Sequence, residues 1–283
     1  MNKQQFVFRF RDRSVLLGEK TYVMGIINVT PDSFSDGGDH FSPENALAAA
    51  TQMEQEGADF LDVGGQSTRP GHTPISPEEE WSRLEPAFKL ILSHTALPVS
   101  VDTFYPAVAE RALAAGCHII NDVSGRVNPE MAAVVRKYGA GWILMHAAEE
   151  QTDDICRTVH DRLAEFLDAA GRFGIDREHI CLDPGIGFGK SMEENARLIA
   201  GTDRVRVPGV AYLLGASRKR VIGTALDRQT PFKQRDPGTV AAHTVGILGG
   251  ADIIRVHDCV SGCQGARVAD FIMGKNGLKG AEV

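Results

Sequence analysis

Three acceptor-rich side chains, Asp102, Asn121 and Asp183, stand at the ends of short apolar runs, and Lys219 follows another such run. Carboxylates and an amide are costly to bury unless they meet N–H donors or a counter-charge. Lys219 could supply that charge in a salt-bridge network bracing the strands. A flat heterocycle with amino and ring N–H groups, such as a pterin or a guanine, would serve equally well. A second group is cationic: Arg69, Arg218, Arg220, Arg255 and His257. Together with the backbone N–H groups of a helix expected to begin near Ser217, it suits a phosphate or a carboxylate. Cations at a helix N-terminus oppose the macrodipole, and an anion between them would relieve that conflict. The alternative for "SRKR" (217–220) is a solvated helix turn.

Other chemistries find less support. "GIGFGK" (185–190) is rich in glycine but lacks the GxxxxGK[ST] spacing of a nucleotide loop. Its glycines are expected to let the loop pass close to a ligand, with Phe188 stacking on it. No Ser–His–Asp ordering and no HExxH motif occurs, and most histidines lie away from strand ends, so zinc is not expected. A hard, oxygen-liganded Mg²⁺ near Asn28 is expected instead, shared with the phosphate oxygens of a ligand.

Something must bring these residues together. Eight apolar runs alternate with helical stretches: 22–28, 59–65, 97–103, 117–123, 141–146, 179–185, 210–217 and 251–257. Such runs read as strands buried on both faces. Between them lie helix-start signals: "SPEN" at 42–45, "SPEE" at 76–79 with Glu79 completing a capping box, "NPE" at 128–130 and "SMEE" at 191–194. Gly57, Gly116, Gly139, Gly174 and Gly250 sit where helices should end. Eight strand–helix units predict an α/β fold, a (β/α)8 TIM barrel, as a single domain over residues 1–283. The first twenty residues alternate apolar and charged side chains and predict a short N-terminal β-hairpin capping one end. An open doubly wound sheet is the runner-up, but it would carry a Gly-rich loop after its first strand, where this chain has "VTPDSFSDGG". In a barrel, loops leaving the C-terminal strand ends share one centre. Asn28, Asp62, Asp102, Asn121, Asp122, His146, Asp183, Ser217 to Arg220, Arg255 and His257 all lie at or near those ends.

Composition narrows the partners. The net charge of −7 argues against nucleic acid, and no apolar run approaches the roughly 20 residues that span a bilayer. The five scattered cysteines read as free thiols of a cytoplasmic protein.

"INVTPDSFSDGG", "DVGGQSTRPG", "DPGIGFGK", "GASRK" and "IIRVHD" occur in order, and the likeness runs from about residue 23 to 270. These motifs closely resemble those of the dihydropteroate synthase family. The resemblance implies a barrel that joins 6-hydroxymethyl-7,8-dihydropterin diphosphate to 4-aminobenzoate and releases pyrophosphate, with Mg²⁺ as cofactor. It implies a pterin pocket of Asp102, Asn121, Asp183, Gly215 and Lys219. Diphosphate would meet Asn28, Thr68, Arg255 and His257, with Asn28 at the metal. Aminobenzoate would meet Thr68, Arg69, Pro70, Phe188, Ser217 and Arg220. Lys219, Asp102, Arg255 and His257 would carry the catalysis. A homodimer is implied by the same likeness. The family's mechanism is SN1-like: diphosphate leaves first and the amine traps a pterin-stabilised cation.

The sequence departs from the family pattern in three places. Gln66 stands where Glu is usual, Arg220 where Ser is frequent, and "AAEEQTDD" (147–154) follows "LMH" in place of a Met and a Gly-containing loop. Gln keeps the shape of Glu, and Arg could pair with a carboxylate. Because Glu149, Glu150, Asp153 and Asp154 would repel anionic substrates, the loop is expected to point outward and be mobile. Two other functions compete: a methyltetrahydrofolate-dependent methyltransferase, which needs no diphosphate cluster, and a pterin-binding paralogue without synthase activity.

Overall fold

A computed structural model of the chain describes residues 5–30, 42–66, 73–227 and 229–275. Strand β1 (Phe6–Phe10) pairs antiparallel with β2 (Arg13–Leu17), Phe6 opposite Leu17. Eight parallel strands follow: β3 (Tyr22–Asn28), β4 (Phe60–Gly64), β5 (Val99–Asp102), β6 (Ile119–Asp122), β7 (Gly141–Met145), β8 (Ile180–Asp183), β9 (Ala211–Leu214) and β10 (Ile253–Val256). Each pairs with its successor, and β10 returns to β3 with Ile253 opposite Tyr22. The sheet is closed. The fold is a (β/α)8 barrel, and the open-sheet alternative is ruled out.

Helices cover the outside: α1 (Pro43–Gln55), α2 (Pro77–His94), α3 (Pro106–Ala114), α4 (Pro129–Tyr138) and α5 (Ile155–Arg172). The second half adds α6 (Met192–Ala200), α7 (Thr202–Val205), α8 (Arg220–Leu226), α9 (Asp236–Leu248) and α10 (Cys259–Ile272). The expected caps form at Ser42, Ser76, Asn128 and Ser191, whose side chains accept backbone N–H groups of the first turn. The reciprocal capping box expected at Ser76 does not form, because the Glu79 carboxylate pairs with Arg83 one turn on. It forms instead at Ser191, where Glu194 returns to the cap's own N–H at 2.7 Å. Gly139 shows why glycine ends α4: it takes φ +60° while its N–H closes the last turn. No described helix is long and apolar enough to cross a membrane. All five cysteines are free and buried.

The period-two alternation of the strands sorts side chains into an inner and an outer set. Outward residues such as Leu61, Val63, Val101, Trp142, Leu144, Leu182 and Tyr212 join the core between sheet and helices. Inward residues fall into two layers. The lower one holds Met24, Phe60, Ile119, Ile143, Cys181, Ala211, Leu213 and Ile253, packed with Phe8, Phe10 and Leu17 of the hairpin. The hairpin therefore plugs the N-terminal mouth with apolar surface, as the sequence predicts. Two residues further along β4, β6, β8 and β10, the inward positions are Asp62, Asn121, Asp183 and Arg255. The other end of the barrel is polar inside.

Candidate active site

The polar layer is a connected network. Asp62, wholly buried on β4, accepts from Asn121 Nδ2 at 2.9 Å and from Arg255 Nε at 2.7 Å through one oxygen. A second guanidinium nitrogen of Arg255 donates to Asp102 Oδ2 at 2.9 Å. The other oxygens, Asp62 Oδ1 and Asp102 Oδ1, are buried with no hydrogen-bond partner. Unpaired buried acceptors are uncommon and call for a donor. Across the barrel, Asp183 Oδ1 accepts the Gly185 N–H at 2.7 Å. A Cβ at Gly215 would meet nothing nearer than Asp183 Oδ2, at 3.7 Å, so the protein itself does not require glycine there. The space saved lies in front of the Asp183 carboxylate.

Burial sets the electrostatics. It raises the Asp102 carboxyl to about 7, against the pull of Arg255 and with help from Asp62 and Glu80. Burial also raises Asp183, opposed by Lys219 and the Gly185 N–H. Desolvation lowers the Lys219 ammonium to about 8, with Asp183 pulling it back up. Burial works against the Arg255 charge too, but Asp62 and Asp102 outweigh it and raise its pKa.

Lys219 is not the direct counter-ion the sequence led one to expect. Its Nζ donates to the Ile186 carbonyl and lies 4.8 Å from the centre of the Phe188 ring. Arg255 takes the carboxylates instead, because its inward position on β10 and its forked donors reach Asp62 and Asp102 together. The cationic group is likewise divided. Arg218 is spent on Asp236 through two contacts of 2.7 Å and rests on Phe232. His257 is fixed by Ser217, whose hydroxyl accepts the His257 N–H at 3.1 Å and meets Nδ1 at 2.9 Å. Ser217 is thus no helix start: α8 begins at Arg220, an exposed residue, with Lys219 as its cap. Asn28 closes β3 half-buried, its side-chain oxygen facing Gly64 next to Asp102. Thr68, Arg69 and Pro70 lie outside the described residues.

A family profile described as "Pterin binding enzyme" matches residues 24–257. The dihydropteroate synthase of Clostridium beijerinckii is 42% identical over 260 residues, covering 91% of this chain and 96% of the relative. This chain belongs to the dihydropteroate synthase family. Among solved structures, Xanthomonas albilineans dihydropteroate synthase with 4-aminobenzoic acid is 41% identical with a TM-score of 0.89, covering 95% of this chain and 99% of that one. The same organism's dihydropteroate synthase in complex with 7,8-dihydropteroate superposes with a TM-score of 0.83 at 40% identity, over 91% and 96% of the two chains.

For this member of the dihydropteroate synthase family, two sequence expectations change at the rim. The acidic loop does not simply point outward. Glu150 turns in to meet His146 Nε2 at 3.2 Å, and Arg162 of α5 neutralises it at 3.0 Å. Asp154 caps α5 and pairs with Arg204, while Glu149 and Asp153 are exposed. The glycines of "GIGFGK" serve the protein before any ligand: at Gly185, φ +70°, a Cβ would stand 1.8 Å from the His146 carbonyl oxygen. Gln66, where the family usually has Glu, accepts the Ile75 N–H at 2.7 Å. Asp122, though at a strand end, faces outward and accepts from Trp142 Nε1 and the Ser124 N–H, a bracing role. Asp62 is the residue that sequence reasoning underrated. Its inward register, two positions before Gly64, was the available signal.

Proposed function

We propose that the polar mouth of the barrel condenses 6-hydroxymethyl-7,8-dihydropterin diphosphate with 4-aminobenzoate, giving 7,8-dihydropteroate and pyrophosphate. The observation that carries this reading is the buried acceptor set itself, with Asp62 Oδ1 and Asp102 Oδ1 lacking donors and Arg255 held beside them. A pterin supplies the missing N–H groups in a flat shape that fits between strand ends. Asp183, Asn121 and Asp102 bind its amino and ring nitrogens, and Lys219 leaves the Ile186 carbonyl to meet the ring. Arg255 and His257 hold the diphosphate. The C–O bond to diphosphate breaks first, and the electron pair leaves with it. Carboxylates beside the electron-poor ring and cations beside the leaving group favour that charge separation. The aryl nitrogen then bonds to the methylene carbon and loses one proton. An arylamine is already nucleophilic, so no strong general base is required.

Mg²⁺ fits this site. The Asn28 side-chain oxygen is a hard donor at the polar mouth, facing Gly64 next to Asp102. Mg²⁺ typically takes few protein ligands and completes its shell with phosphate oxygens and water. When bound, it would neutralise charge on the departing diphosphate, with Asn28 as its protein ligand. The protein acts in the cytoplasm as a homodimer. The exposed apolar side chains of α9 and α10, among them Leu248, Val268, Phe271 and Ile272, supply the contact.

Incubation with the dihydropterin diphosphate, 4-aminobenzoate and Mg²⁺ tests the reading by chromatography of the product. Dihydropteroate and pyrophosphate in equal amounts support it. Tight pterin binding without product would favour a silent pterin-binding protein.

A further inference from the structure

Lys190 ends the "GIGFGK" loop, and its ammonium is unusually placed. Nζ donates to three carbonyls: Phe188 at 2.9 Å, His146 at 3.0 Å and Gly185 at 3.2 Å. An ammonium has three donors, and all three are used. No carboxylate lies within salt-bridge distance among the described residues. The charged groups facing it are Asp183, Glu194 and Glu150, which favour its charge, and Lys219, which opposes it; burial dominates and lowers it to about 8.

A half-buried cation without a carboxylate is a poor device for stability alone. What it does is gather carbonyl oxygens that would otherwise repel one another. Two of the three belong to the loop after β8 and the third to the exit of β7. The same two segments meet backbone to backbone: a Cβ at Gly185 would strike the His146 oxygen at 1.8 Å, and one at Gly189 would lie 2.8 Å from the Ala148 carbonyl carbon. Between those two contact points sits Phe188. Its carbonyl is held by Lys190, while Lys219 lies over its ring and binds the Ile186 carbonyl. Once Lys219 turns to a bound pterin, Lys190 is the ammonium still holding Phe188.

We propose that Lys190 is a positioning residue for the arylamine substrate, fixing the Phe188 ring by drawing the carbonyls of Phe188, Gly185 and His146 onto one ammonium. This rests on the function proposed above, with Phe188 against the aminobenzoate as the family resemblance implies. Asp183, which meets the pterin, keeps the Gly185 N–H when the ammonium is removed, although it also feels the Lys190 charge. The larger effect therefore falls on the arylamine and a smaller one on the pterin.

Lys190→Met keeps the apolar stem and removes the donors, and Lys190→Arg keeps the charge with a wider head. Steady-state kinetics give KM and kcat for each, and calorimetry gives two Kd values: diphosphate-free pterin alone, and 4-aminobenzoate added to enzyme holding pterin and pyrophosphate. For Lys190→Met, KM and Kd for 4-aminobenzoate rise roughly tenfold, while pterin Kd and kcat change by less than about threefold. Lys190→Arg is intermediate, with a rise of about threefold for 4-aminobenzoate alone. Unchanged aminobenzoate affinity, or an equal loss for both ligands, would overturn the proposal. Should Lys190→Met not fold, Lys190→Arg decides by the same split. Absence of turnover in the wild-type protein would count against the proposed function, whereas the two Kd values judge Lys190 independently of turnover.

Discussion

Arg255 joins two carboxylates that would otherwise repel each other in a buried layer, and this makes it more than a grip for a leaving group. Arg255→Ala leaves Asp62 and Asp102 without their cation. It should lower stability by about 3–5 kcal/mol and weaken diphosphate-free pterin as well as pyrophosphate. Denaturant titration and calorimetry check this; loss of pyrophosphate alone would return Arg255 to a purely phosphate role. Glu80 presents a related problem on α2. It is wholly buried, and burial raises its carboxyl from 4.5 to about 7 against the opposing pull of the Thr103 side chain and Arg83. The folded state thus holds this proton more tightly than the unfolded chain does. Its contribution is fully present below about pH 4.5 and falls as pH rises through 7. Glu80→Gln should flatten that slope and stabilise the protein at pH 8 by about 2 kcal/mol, with little gain at pH 4.5. Urea midpoints of both proteins at the two pH values decide the matter.

At the scale of elements, the hairpin and the loops divide the work between the two mouths of the barrel. Phe8, Phe10 and Leu17 have no exposed surface, and Phe10 stacks edge-on to Phe60 with centroids 5.7 Å apart. Phe10→Ala should cost about 3–5 kcal/mol, since the closed barrel floor cannot collapse onto the space left. Substrate KM values should stay within about twofold of wild type, because the polar layer lies beyond the floor. Thermal unfolding with parallel kinetics tests both statements, and a large rise in KM would show that floor and site are coupled. The segment from β9 to α8 behaves differently from its sequence pattern. Its helix is short and starts at Arg220, which frees Ser217 to hold His257 and lets Lys219 reach back across the mouth.

For the whole molecule, the homodimer proposed above needs a contact surface, and the exposed apolar residues of α10 offer one. Phe271 and Ile272 are 67% and 70% exposed near the end of α10, and Val268 one turn earlier is 59% exposed. Single exposed apolar residues need no explanation, but a cluster on adjacent packed helices does. The double variant Phe271→Asp with Ile272→Asp should shift a dimer to monomer while leaving pterin affinity within about twofold. Sedimentation velocity checks the mass, and an unchanged dimer would place the interface elsewhere.

The barrel, the hairpin and the polar strand ends were readable from the sequence, whereas the outward turn of Asp122 was not. Those follow from local periodicity: alternate residues face one side of a strand, and capping residues and glycines mark where helices start and stop. Asp102, Asn121, Asp183 and Arg255 were legible as polar strand ends for that reason, and Lys219 as a cation just past the seventh strand. Their pairing was not. Arg255 and Asp62 are 193 positions apart, and only closure of β10 onto β3 brings their strands within one strand of each other. The same closure makes Arg255 the partner of Asp102. Pairing of sequential strands decides the rest: β8 beside β9 brings Lys219 to the Ile186 carbonyl, and β7 beside β8 sets Gly185 and Gly189 against the backbone of His146 and Ala148. Residue type and spacing say what a side chain could bind; barrel closure decides which of several equally charged neighbours lies within 3 Å, because hydrogen bonds and ion pairs act only at contact distance.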